Sequence, residues 1–236
     1  LTRPRAAVHA HAVLNPMRDE GLLGIGAESA GIVELRDCLT LGITDDKLRW
    51  LVKSGRWQLV HPRVFATFSG PVPYESLVYA ALCYAGQDAV LSHDSAGASH
   101  GLCIRPPSIH LTVPYEREVD GRDGLVDHRS RTLTDADVCL SRPAKTTVER
   151  TVLDLLASRR SADAALGLVG DAIRTRRTST QRLREAITAA SCTKWRRVVL
   201  EALPDVAAGA ESPLEIRDAR LRRLHGLPTG TRQVRR

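Results

Sequence analysis

Long apolar runs, paired cysteines and an apolar leader are what this sequence lacks. No run approaches the roughly 20 residues needed to cross a bilayer, so a helical membrane span is not expected. Arg3 and Arg5 precede no apolar stretch before Asn15-Pro16, so no secretion signal and a cytoplasmic location are expected. The five cysteines (Cys38, Cys83, Cys103, Cys139 and Cys192) are odd in number and scattered, with no C-x-x-C pair. They read as reduced thiols, with no metal or redox centre.

Acidic residues run short toward the end. Residues 1–158 carry 17 basic and 19 acidic side chains, a net −2, whereas 159–236 carry 17 and 8, a net +9. An arginine-rich third suggests a polyanion or an acidic protein as partner, or a genome that encodes Arg and Ala readily. The chain has 236 residues, 43% of them apolar, enough for one or two ordinary cores.

The most organised stretch runs from Ile32 to Phe68. Val33, Leu35, Leu39 and Leu41 give a first helix an apolar face, and Gly42 ends it. Thr44 is a good N-cap, with Asp45 and Asp46 in the first turn of a second helix whose Leu48, Leu51 and Val52 face inward. Gly55 stops that helix. Residues 57–66 then alternate as two short strands bent at His61-Pro62-Arg63, with Trp57 as a plug between helix and hairpin. Helix, turn, helix and hairpin outline a winged helix-turn-helix, whose second helix can enter a major groove. The alternative is a helical pair and ribbon that merely pack.

Further along, 74–85 reads as a helix, 89–92 as a short buried strand or the start of a helix, 94–100 as a small-residue helix capped by Ser92, and 109–113 and 125–130 as strands. Residues 138–140 are a possible strand, and 147–157 a helix on which Arg150 and Asp154 sit at pairing distance. Helices follow over 161–172, 180–190 (with Thr180 as cap), 195–202 and 213–224, with 204–209 as a linker. Ser92, His93, Asp94 and His100 invite a catalytic reading, but neighbours in sequence usually point apart. His9 and His11 are too isolated to suggest a metal. His128 reads as a solvated or capping histidine, or as part of a nucleic-acid- or toxin-facing surface.

The run GITDDKLRWLVKSGRWQLVHPRVFAT resembles the N-terminal winged-helix domain of AbiEi-type antitoxins, the antitoxin family of type IV toxin–antitoxin systems. AVLSHDSAGASHGL, IHLTVP, VDHRS and TTVERTVLDLLA are similar, in order, to successive blocks of the domain that follows in that family. The last stretch, AESPLEIRDARLRRLHGLPTGTRQ, resembles the opening of a very-short-patch-repair-like endonuclease domain, with Glu215 where its acidic set begins. One carboxylate cannot assemble a hard-cation site, so this stretch reads as a truncated remnant. Two departures stand out. Asp45 and Asp46 occupy positions where DNA-gripping relatives carry basic or hydroxyl residues, and Arg63 stands where the wing turn usually has Gly.

The expected fold is therefore α+β. A mobile arm over 1–26 leads into a winged helix-turn-helix over 27–70 and an AbiEi-like small mixed α+β middle domain over 71–158. A helical basic region over 159–208 and the remnant over 209–236 follow. The resemblance implies an antitoxin-like transcriptional regulator that represses its own operon on double-stranded DNA, as a possible homodimer, and counters a nucleotidyltransferase-type toxin. Lys47, Arg49, Lys53, Arg56, Gln58, His61 and Arg63 are the expected DNA contacts, with Arg49 the base reader. No catalytic residue, cofactor or metal is expected. The alternatives are a remnant of an endonuclease and an interaction module without DNA binding.

Overall fold

The structure, a computed structural model, describes residues 26, 28–190, 193–208 and 212–228. Residues 1–25 of the expected arm, with His9 and His11, Cys192, and positions 209–211 and 229–236 of the expected remnant lie outside them. The chain divides into two compact units, residues 1–84 and 85–236, each mixing helices with sheet, so the class is α+β.

The first unit runs β1 (Ile32–Glu34), α1 (Leu35–Thr40), α2 (Asp45–Lys53), β2 (Gln58–His61), β3 (Val64–Ala66) and α3 (Tyr74–Ala85). Its sheet is antiparallel in the order β1-β3-β2. Ile32 and Val33 are strand residues opposite Ala66 and Phe65, not the start of a helix. That delay rotates the first helix, because each residue advances it by about 100°. Cys38 therefore faces the core, and Leu39, expected inward, is 47% exposed.

α2 forms as the spacing predicts. The Thr44 hydroxyl accepts the Lys47 N–H at 3.3 Å, and Leu48 and Leu51 are buried. Val33, Cys38, Ile43, Leu48 and Phe65 make the core, and Trp57 packs against it with its ring 6.4 Å from that of Phe65. A register shift between Leu59 and His61 bulges the hairpin. Arg63 makes its bend at φ +66°, a left-handed conformation that Gly would adopt without strain. The Arg63 carbonyl accepts the Leu35 N–H at 2.8 Å, tying the bend to α1.

α3, expected to open the middle domain, belongs to this first unit. Ala80 packs with Ile32, Val64 and Ala66, and Tyr79, Cys83 and Tyr84 lie against the same cluster. The division between units falls after Tyr84 rather than at residue 70, because the sheet face opposite α1 and α2 needs a cover.

The second unit begins with β4 (Val90–Leu91), α4 (His93–His100), β5 (Ile109–Pro114) and β6 (Leu125–Ser130). A 3-10 turn (Asp135–Asp137), β7 (Val138–Cys139), β8 (Lys145–Thr146) and α5 (Val148–Ser158) follow. The five-stranded sheet has the order β6-β5-β4-β8-β7. β5 and β6 pair in parallel, Ile109 with Leu125 through to Pro114 with Ser130. The small residues of α4 serve close packing. A Cβ on Gly97 would stand 2.7 Å from Cys103 Sγ and 3.1 Å from Leu155 Cδ1.

Four further helices complete this unit: α6 (Ala162–Arg174), α7 (Thr180–Ala189), α8 (Arg196–Ala207) and α9 (Pro213–Leu224). α5, α6, α7 and α8 surround a core that includes Val152, Leu155, Leu156, Val169, Leu183, Ile187, Val199 and Leu203, and α9 packs through Ile216 in a second cluster with Leu166, Ala202 and Val206. Ser179, not Thr180, caps α7 by accepting the Arg182 N–H. α8 runs through Pro204, where a linker was expected, because Leu203 and Val206 on either side of it are buried.

Candidate functional site

Two places concentrate polar chemistry, one in each unit. In the first unit α2 and the β2–β3 hairpin flank an open cleft of about 480 Å³. Its apolar lining comes from Leu35, Leu48, Val52, Leu59 and Phe65, and its charged lining from Arg49, Lys53, Arg63 and Asp45. Arg49 and Lys53 lie one helical turn apart and so share a face. The hairpin bend brings Arg63 to that face from the other side. Arg49 bonds Asp46 at 3.1 Å, but both side chains are largely exposed, and such a pair is worth little in water. Among the described residues, neither Lys53 nor Arg63 has an acidic partner.

The other expected contacts go elsewhere. Lys47 and Arg56 bracket the half-exposed ring of Trp50, 4.5 and 4.9 Å from its centroid. The His61 ring stacks on Tyr84 with centroids 5.0 Å apart. Gln58 is spent within the fold: its Nε2 donates to the carbonyls of Phe68 at 3.0 Å and Gly70 at 2.8 Å. Of the seven expected contacts, three surround the cleft, two flank Trp50 and two brace the hairpin.

In the second unit three imidazoles meet from three elements. His93 opens α4, His110 lies on β5 and His128 on β6. His93 and His128 are stacked, and His110 Nδ1 is 3.0 Å from His128 Nε2. His93 takes φ +46°, a strained conformation for a non-glycine residue. Ser92 does not cap its helix as expected. Its buried hydroxyl faces His93 Nδ1 at 3.0 Å.

Burial first, then neighbouring imidazoles, pushes His93 and His128 down to about 4, and burial lowers His110 as well. His100 points to the Thr146 carbonyl at 2.8 Å, away from the others. Among the described residues no carboxylate is hydrogen-bonded to His93, so Asp94 does not orient that ring as the third member of a Ser–His–Asp triad would. Imidazoles titrating near 4 are weak bases at neutral pH. Among the described residues no group of three or more His, Cys, Asp or Glu is placed to hold a metal ion.

Beside the imidazoles, Arg150 Nε bonds Asp154 at 3.0 Å, and both side chains are largely buried. Arg150 also reaches Asp137 and the Thr132 carbonyl, so it joins α5 to the 3-10 turn and the loop after β6. Burial raises the Asp154 carboxyl, and Asp154 Oδ2 has no hydrogen-bond partner. His110 was not singled out from the sequence. The signal was the strand register, which pairs His128 with Thr112 and so sets it diagonal to His110 on one face.

Part of the arginine charge of the last helices is paired, within a helix or between helices. Arg217 pairs with Asp163, Arg220 with Glu201, Arg223 with Asp205, Arg222 with Asp218 and Arg174 with Asp171. Burial raises Cys38 to about 11 and Cys83 to about 12. Among the described residues no helix is long and apolar enough to cross a membrane.

No family model and no curated protein matches the chain. Among solved structures, the crystal structure of the RV2827C protein from Mycobacterium tuberculosis is similar, with a TM-score of 0.52 at 17% identity. The match covers 92% of this chain and 83% of that one, and it shows a shared fold.

Proposed function

We propose that the first unit is a winged helix-turn-helix that binds double-stranded DNA, with α2 as the recognition helix and the β2–β3 hairpin as the wing. The carrying observation is that Arg49 and Lys53 on α2 and Arg63 on the hairpin line one open face. Lys53 and Arg63 act as phosphate contacts, and Arg49 exchanges its weak pair with Asp46 for a base edge. Lys47 and Arg56, held on Trp50, add cations beside the same helix. The function is then an antitoxin-like transcriptional regulator of its own operon, acting as a homodimer, with a nucleotidyltransferase-type toxin as its protein partner. The sequence resemblance supports the antitoxin part, and the face of α2 supports the DNA part.

The test is a mobility shift on DNA from upstream of the protein's own gene, at two salt concentrations, beside an Arg49→Ala/Lys53→Ala variant. A specific shift that weakens with salt and is lost in the variant is the expected result. Equal binding of all DNA by both proteins would overturn the reading. Asp45 and Asp46 favour a second reading, an interaction module, because two carboxylates at the start of α2 repel phosphate. Binding of the toxin with no binding of DNA would establish it.

A further inference from the structure

We propose that the cleft between α2 and the β2–β3 hairpin is a binding site for a small amphipathic anion, an apolar body carrying one carboxylate or sulfonate. The proposal rests on the reading of this face as the DNA-binding one, and adds a means of regulating it. Three observations on the cleft agree. Its volume, about 480 Å³, falls within the roughly 300–1,000 Å³ usual for small-molecule sites. Its apolar lining reaches the surface at Leu59, a residue 56% exposed on a strand whose partner β3 is buried. Lys53 and Arg63 line it without an ion-pair partner among the described residues, so two cations stand beside apolar surface, and with Arg49 they outnumber the one lining carboxylate, Asp45.

An apolar body laid on Val52, Leu59 and Phe65 would remove that surface from water, the main source of affinity in such sites. Its anionic head would meet Lys53 and Arg63. Asp45 also lines the cleft, which disfavours a second negative charge and sets the preference at one anionic group per ligand. The same two cations are the proposed phosphate contacts. A bound anion therefore neutralises the groups that DNA needs, and the ligand releases the operator by direct competition.

The probe is the dye anilinonaphthalene sulfonate, an aromatic body with one sulfonate, titrated by fluorescence and calorimetry against the full chain. Two variants accompany it: Val52→Phe, which fills the cleft without changing charge, and Lys53→Glu/Arg63→Glu. Circular dichroism on both shows whether they remain folded. The expected result is saturable one-to-one uptake, weakened at least about tenfold in each folded variant, with operator DNA displacing the dye from the wild type.

Dye uptake that folded variants leave unchanged overturns the proposal, whatever the DNA result. Cleft-dependent uptake in a protein that binds no DNA keeps the ligand site and overturns the regulator. Cleft-dependent uptake that DNA does not disturb overturns the competition. A wild type that excludes the dye and dimerises through this face in sedimentation makes a second copy the occupant and overturns the ligand.

Discussion

His93 lies face to face on His128, with ring centroids 3.5 Å apart and planes 12° from parallel. Two neutral imidazoles tolerate this stack, and two imidazolium ions would repel. Both groups fall to about 4 in the folded chain from an ordinary 6.5, although Asp94 pulls His93 upward and Asp154 and Asp127 pull His128. Between these values the unfolded chain holds protons that the folded chain does not. Stability is thus fully present above about pH 6.5 and is lost as pH falls toward 4. The denaturation midpoint of the second unit is expected to be level above pH 6.5 and to decline below it. His128→Phe, which keeps a ring in the stack, should make the decline shallower while His93 sustains the remainder, and a wild-type curve already flat would contradict the neutral stack.

Arg63 separates stability from binding. Its left-handed bend costs a non-glycine residue about 1 kcal/mol, and Gly would not bear that cost. Arg63→Gly is expected to raise the melting temperature of the first unit while weakening DNA binding and reducing the salt slope by about 1. A variant that gains stability and keeps full affinity would remove Arg63 from the phosphate contacts.

Arg150 and Asp154 are expected to be costly to break singly and cheap to replace together. Arg150→Met leaves the Asp154 carboxylate buried without its cation, a loss of about 3 kcal/mol. The double variant Arg150→Met/Asp154→Leu should recover most of it. Chemical denaturation of the two singles and the double measures the coupling, and simple additivity would mean that the pair contributes nothing as a pair.

Gln58→Ala tests the reassignment of a residue expected on the DNA. Loss of two hydrogen bonds to the Phe68 and Gly70 carbonyls should cost about 1–2 kcal/mol in thermal unfolding. DNA affinity, measured well below the melting temperature, should stay within about twofold of wild type. A large loss of affinity without a loss of stability would return Gln58 to the interface.

The local grammar of the chain was legible where one residue decides the conformation. Thr44 caps α2, as the spacing predicts, and Gly42 and Gly55 take positive φ after their helices. What escaped depended on partners distant in sequence. Ile32 and Val33 carry a helical pattern but have Ala66 and Phe65 opposite them, and pairing overrides periodicity. α3 reads as the start of a new domain until its Ala80 is found on Val64 and Ala66. The seven expected DNA contacts were chosen as exposed polar positions, and sequence offers no way to see that Gln58 faces two carbonyls or that His61 stacks on Tyr84. The three histidines are separated by 17 and 18 positions, so only the parallel β5–β6 pairing and the strained start of α4 bring them together.

The arginine pairs of the last helices carry a consequence for how this surface can evolve. Glu201 alone answers both Arg220 and Arg197, and Asp205 answers Arg223. Each acidic residue thus works as a silencer, and its loss by a single nucleotide change would release a guanidinium already fixed in position. Each such loss would add an unpaired cation to a region that already carries a net +9 over residues 159–236, moving it toward indiscriminate binding of polyanions. Purifying selection should therefore fall harder on these few carboxylates than on the many arginines they restrain.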